Sequence, residues 1–205
     1  HPRSSAASDV YKRQTLKAAI AFKNSKLGIP ILVGKESKIK EQIRNIGYNE
    51  NFDIEIINSK NEEKRKKYLQ HLFEKLQREQ GLLERDCDRL LRNDRVIWAT
   101  SMVACGDADG AVTGNTRRFG ASLEKIKQVV DVRKGEIMFG LNMVVHKGRT
   151  IFIGDTSVHE YPTSEELAEI AISTARVVRL FGFEPKVAFV SHSTFGQPLT
   201  LSLIH

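Results

Sequence analysis

Apolar positions along the chain follow two alternating rhythms. Ile39, Ile43 and Ile46 recur at intervals of four and three, which places them on one face of a helix over 37–46. Tyr68, Leu69, Leu72, Phe73 and Leu76 form a longer stripe of the same kind and predict an amphipathic helix over 62–80. Short apolar runs separate these stretches. Gly28-Ile29-Pro30-Ile31-Leu32-Val33-Gly34 reads as a strand between glycines, and 52–57 as a second. Helices are expected over 15–26, 82–92, 95–105 and 119–130, with a short strand at 111–113. After Gly135 the texture changes. Segments 136–145 and 149–154 read as strands joined by a hairpin turn at His146-Lys147-Gly148. The helix expected over 163–181 has Thr163 as N-cap, Glu166 three residues on as in a capping box, and Gly182 past its end. Residues 186–190 are expected as a further buried strand.

Repeated strand–helix units predict an α/β fold with open, mostly parallel sheets. In such sheets ligands sit beyond the carboxyl ends of the strands, so the strand exits are the places to look for chemistry. The hydrophobic fraction of 40% and charged fraction of 28% are ordinary for a globular protein. No apolar run is long enough to span a bilayer, and no membrane partner is expected.

Both ends of the chain read unlike the rest. Val10-Tyr11-Lys12-Arg13-Gln14 can be encoded by GTG-TAT-AAG-AGA-CAG, whose reverse complement encodes Leu201-Ser202-Leu203-Ile204-His205. One adaptor-type DNA element read in both directions accounts for the two, so residues 1–14 and 201–205 are set aside as scars. A first α/β lobe lacking its first strand is expected over 15–134, and an incomplete second lobe over 135–200. The net charge is +7; Arg3, Lys12 and Arg13 against Asp9 lie in the set-aside stretch, leaving +5. The densest basic run, Lys64-Arg65-Lys66-Lys67, shares its helix with Glu62, Glu63, Glu74 and Glu79 and reads as a solvated face, not a nucleic-acid patch. Cys87 and Cys105 are isolated, which argues against structural zinc and for free thiols in a reducing, cytoplasmic setting.

The most distinctive stretch is Gly106-Asp107-Ala108-Asp109-Gly110-Ala111-Val112-Thr113-Gly114, followed by Asn115-Thr116-Arg117-Arg118. Glycine lets a backbone approach a ligand closely, and two arginines can neutralise phosphate. A phosphate-bearing ligand and an ordinary strand with a solvated exit loop both satisfy this pattern. Asp107 and Asp109 read as turn-shaping residues that bond to nearby backbone, in preference to a catalytic pair. In Ser191-His192-Ser193 adjacent residues of an extended segment point to opposite sides, a poor arrangement for a nucleophile and its base. Their place after a strand still makes the loop a candidate ligand contact. Asp155-Thr156 also follows a strand, and either contacts a ligand or shapes the approach to the next helix.

The run Ile151-Phe152-Ile153-Gly154-Asp155-Thr156-Ser157-Val158-His159-Glu160-Tyr161-Pro162 and the Gly-x-Ala-Asp-Gly-x-x-x-Gly pattern at 106–114 resemble the phosphate acetyl/butyryl transferase family. The likeness extends over 15–198. His192 and Phe195, and Asp155-Thr156-Ser157-Val158 in place of the usual Asp-Ala-Gly-Leu, are similar to the phosphotransacetylase-like domain fused behind malic enzymes.

The resemblance implies two α/β lobes around a cleft, as in isocitrate and isopropylmalate dehydrogenases. It implies acetyl-CoA or a related acyl-CoA as ligand, and a homo-oligomer in the intact protein. Thr113, Gly114, Arg117 and Arg118 would then contact the ligand's phosphates, Ser191, Ser193 and Thr194 would line the same cleft, and Asp155 would sit at its rim. Family members usually carry an arginine after a leucine on the helix following the Gly-x-Ala-Asp-Gly strand; here Leu123 is followed by Glu124. A carboxylate repels phosphate, so no catalytic residue is expected within the chain; with isolated cysteines and no clustered histidines, no metal ligand is expected either. In the malic-enzyme branch, NADP and Mg or Mn serve the malate-oxidising region of the parent, and the appended domain senses acetyl-CoA. The alternative is a catalytic phosphate acetyltransferase, converting acetyl-CoA and phosphate to acetyl phosphate and CoA.

Overall fold

The computed structural model describes residues 4–7, 13–49, 53–58, 61–114 and 117–190. The chain divides into two compact units, residues 1–131 and 132–205.

The first unit is built on a four-stranded parallel sheet with spatial order β3-β2-β1-β4: β1 Ser4–Ala7, β2 Ile29–Val33, β3 Glu55–Ile57 and β4 Gly110–Val112. Its helices are α1 Arg13–Asn24, α2 Glu36–Asn45, α3 Glu62–Gln80, α4 Glu84–Asn93, α5 Arg95–Ala104 and α6 Phe119–Lys127. Side chains of β2 alternate between two cores, as the pleat of a strand requires. Ile31 and Val33 join Tyr68, Leu72, Leu76, Leu91, Ile97 and Trp98 of α3–α5, whereas Leu32 joins Leu16, Ile39 and Ile43 of α1 and α2. Both faces of the sheet are therefore covered, which is why β2 reads as a continuous apolar run.

The long helix follows its apolar stripe. Asn61 caps α3 by accepting the Lys64 backbone N–H at 3.1 Å, and Gly81 ends it at φ +65°, a left-handed conformation that costs glycine little. Tyr68 meets Trp98 of α5 edge to face at 5.1 Å. From Val96 to Met102 every residue of α5 is buried.

The main correction to the sequence reading lies at β1. Ser4–Ala7, set aside above, occupies a central position, pairing Ala6 with Ile31 of β2 on one side and with Ala111 of β4 on the other. The position expected to be vacant is thus filled, and it is an inner strand of the sheet. A parallel ladder is made by backbone N–H and C=O groups, so small residues of no hydrophobic pattern can supply it. Helix α1 likewise begins at Arg13, inside the set-aside stretch.

Among the described residues, the second unit contains an antiparallel hairpin, β5 Leu141–His146 with β6 Arg149–Gly154, and one helix, α7 Ser164–Leu180. Lys147 and Gly148 form the turn with φ of +45° and +75°, the left-handed pair that matches the twist of a two-residue hairpin. Thr163 and Glu166 make the expected reciprocal cap of α7. Phe152 packs against Phe181 and Phe183. Residues 136–140 lie outside β5, and 186–190 are not a strand: Phe189 is 61% and Val190 90% exposed. A strand requires a partner for its backbone, and none stands beside 186–190 among the described residues.

Candidate functional site

The exit of β4 concentrates the sequence candidates of the first unit. Val112 leads into Thr113 and Gly114, the latter at φ +106°, where a Cβ would be strained. Arg117 and Arg118 follow, and Arg118 occupies the N-cap position of α6 without a side-chain cap. Thr113 also lines a small apolar cavity of about 210 Å³ with Val96, Ala99, Val103, Ala111 and Ile126.

Arg117 is held by a residue distant in sequence. Its Nη1 donates to Asp94 Oδ2 at 2.6 Å. The other oxygen of Asp94 caps α5, accepting the backbone N–H groups of Val96 at 2.9 Å and Ile97 at 3.4 Å. A single carboxylate thus joins the β4–α6 loop to the start of a buried helix. Sequence reasoning missed Asp94. Its place before α5 is an ordinary N-cap signal, but nothing local to Asp94 points across 23 residues to Arg117.

A second cluster forms at the start of the same motif. Asp107 accepts from Tyr68 Oη at 2.5 Å and from Lys67 Nζ at 2.7 Å, both on α3. Asp107 was expected to bond its own turn; instead it ties the turn after α5 to the single helix α3, where Gly106 at φ +78° reverses the chain. Burial raises the Asp107 carboxyl, and the bonds from Lys67 and Tyr68 outweigh it, leaving the group below its usual range. Burial, with the Asp107 bond second, pushes the Tyr68 hydroxyl well above its ordinary value. Burial likewise raises the neighbouring Cys105 thiol, against the pull of Lys67. A neutral tyrosine, an ionised aspartate and a protonated lysine form a structural clasp here; a proton carrier for catalysis would titrate nearer neutrality.

In the second unit Asp155 organises its own loop. Oδ1 accepts the backbone N–H groups of Gly140, Ser157 and Val158 at 2.9, 2.9 and 3.1 Å, and Oδ2 accepts that of His159 at 2.9 Å. Burial opposes ionisation, but these N–H donors together hold the carboxyl below its usual value. Asp155 was expected to contact a ligand or to shape the approach to the next helix; its oxygens accept from the loop that leads to α7. His159 is fixed in turn by a 2.7 Å contact between Nε2 and the Met138 carbonyl.

Thr113, Gly114, Arg117 and Arg118 therefore lie in the first unit between β4 and α6, Asp155 belongs to the second, and Ser191, Ser193 and Thr194 lie outside the described residues. Among the described residues, no three His, Cys, Asp or Glu side chains gather as a metal site, and no helix is long and apolar enough to cross a membrane.

The family model for phosphate acetyl/butaryl transferase matches residues 8–203. The chain belongs to that family. It is 40% identical over 186 residues to the NADP-dependent malic enzyme of Rhizobium meliloti, covering 90% of this chain and 24% of that enzyme. It is 36% identical over 107 residues to the phosphate acetyltransferase of Nitratidesulfovibrio vulgaris, covering 52% of this chain and 15% of that protein. Among solved structures, a phosphotransacetylase from Staphylococcus aureus superposes with a TM-score of 0.83 at 26% identity, covering 95% of this chain and 58% of that one. The chain thus spans about a quarter of the length of the malic enzymes it resembles. At the α6 position where phosphate acetyltransferases were expected to carry arginine, Glu124 is largely exposed and lies 3.5 Å from Lys127 Nζ.

Proposed function

We propose that this chain is the ligand-binding part of a phosphotransacetylase-like domain within a larger malic enzyme, and that it senses acetyl-CoA without transferring the acetyl group. The observation that carries the reading is 40% identity with a malic enzyme across 90% of the chain. Two features of the β4 exit support it. Arg117 and Arg118 with Thr113 and Gly114 offer cations and a close-approaching backbone to a phosphate-bearing carrier. Glu124 places a negative charge where the acetyl-transferring relatives were expected to hold a cation.

In this reading the phosphates of CoA rest on Arg117 and Arg118. Asp155 acts by fixing the shape of its loop. NADP and a divalent metal serve the malate-oxidising region outside this chain, and the intact protein is a cytoplasmic homo-oligomer. The two free cysteines, Cys87 and Cys105, agree with that compartment.

The test uses the full-length protein that contains this chain. Malate oxidation to pyruvate is followed with and without acetyl-CoA, and acetyl phosphate formation is followed in parallel. The expected result is a malate rate that responds to acetyl-CoA, a response that weakens in an Arg117→Ala/Arg118→Ala variant, and no acetyl phosphate. Acetyl phosphate formation without malate oxidation would establish the catalytic alternative.

A further inference from the structure

We infer that Asp94 is a positioning residue for ligand binding: it sets the orientation of Arg117 at the β4 exit, and does so independently of its role as a helix cap. This rests on the reading of Arg117 as a phosphate contact.

The two oxygens of Asp94 have separate tasks. Oδ1 is anchored by the Val96 and Ile97 backbone N–H groups, at the head of a helix buried from Val96 to Met102. Oδ2 takes a single nitrogen of the Arg117 guanidinium at 2.6 Å. Its side chain is only 12% exposed, against 37% for Arg117. The pair therefore has a fixed end and a presented end. A guanidinium carries five N–H donors in a rigid plane. Asp94 engages Nη1, and the remaining donors have no partner among the described residues. One end of the plane is thus tethered before a ligand arrives.

An arginine without this support would have to give up its side-chain freedom on binding. Immobilising one such side chain weakens binding by about 3–10-fold. The Asp94 charge also works against a bound anion, but its anchoring N–H groups at the α5 terminus offset part of that charge. Pre-orientation is expected to outweigh the residual repulsion.

Asn caps a helix about as well as Asp, so Asp94→Asn keeps the cap and removes the charged partner of Arg117. The measurement is acetyl-CoA binding to the full-length protein by titration calorimetry, with thermal midpoints recorded for each variant. Asp94→Asn is expected to weaken binding about 3–10-fold with an unchanged midpoint. Asp94→Asn/Arg117→Ala is expected to bind no worse than Arg117→Ala alone, because the two residues act as one unit. Asp94→Ser, which also caps, should repeat the loss if the Asn variant lowers the midpoint.

Cap-preserving variants that bind as tightly as the unmodified protein, while Arg117→Ala binds weakly, would overturn the inference and leave the ligand reading intact. So would tighter binding by Asp94→Asn, which would make Asp94 a competitor for Arg117. Absence of binding by the unmodified protein, or an unchanged Arg117→Ala, would overturn the ligand reading itself.

Discussion

Two strand exits in this chain are built on opposite plans. Where β6 ends, Asp155 gathers four backbone N–H groups and α7 starts on a complete capping box. The loop is closed on itself, and its donors are already occupied. Where β4 ends, Gly114 adopts φ +106°, Arg118 precedes α6 as an N-cap with no side-chain bond, and Arg117 is held by the carboxylate that caps α5. The first exit is organised locally, by bonds between Asp155 and its own backbone neighbourhood. The second depends on a tertiary contact and keeps cationic donors in reserve. Local and tertiary hydrogen bonding are therefore distributed unequally between the two strand exits.

The largest effect should come from breaking the closed exit. Asp155→Ala leaves four backbone donors without their acceptor and is expected to cost about 2–4 kcal/mol in urea unfolding. Asp155→Asn, which retains one acceptor oxygen, should cost distinctly less. A loss below about 0.5 kcal/mol for the alanine variant would mean the loop is held by other contacts.

Acid should reveal the same asymmetry. Asp155 and Asp107 are both held below the ordinary carboxyl value in the folded protein. Each therefore contributes stability that is complete above the unfolded value of about 3.9, and that is lost as the pH falls through the lower folded value. Stability is expected to decline below about pH 4, and Asp155→Asn should flatten that decline. An identical acid limb in the two proteins would remove Asp155 as a source.

The caps give a smaller and more diagnostic contrast. Thr163→Ala removes half of a working capping box and is expected to cost about 1 kcal/mol. Arg118→Ser installs a cap where α6 has none and should add up to about 1 kcal/mol while weakening acetyl-CoA binding. Opposite signs for stability and binding would mark a position retained for its ligand. A gain in both would show that Arg118 is not part of the site. At the small end, Glu124→Gln breaks an exposed pair with Lys127 and should change stability by less than about 0.5 kcal/mol.

Elements with strong local signals were readable in advance. The apolar stripe of α3, the glycine-bounded β2, the Lys147-Gly148 turn and the Thr163–Glu166 cap all lie where the spacing put them. Residues 186–190 misled because an apolar run shows only that a strand is possible; a neighbour must supply the ladder. Ser4–Ala7 misled in the other sense, since its backbone pairs with β2 and β4 without any apolar pattern. The site divides in the same way. The glycines and arginines of the β4 exit stood out by residue type, whereas Asp94 did not, because its partner is remote in sequence. Asp107 was recognised as a turn residue, but its bonds to Lys67 and Tyr68 depend on how α3 packs beside that turn.

By itself the sequence determined the α/β class, the helix faces, the hairpin turn and the family, because each depends on periodicity, turn chemistry or motif within a short span. Only the tertiary structure decided which backbone fills the inner position of the sheet, which aspartate holds Arg117, and which carboxylate is already saturated by its own loop. Those outcomes depend on distances between segments far apart along the chain, and hydrogen bonds form where packing brings donor and acceptor together.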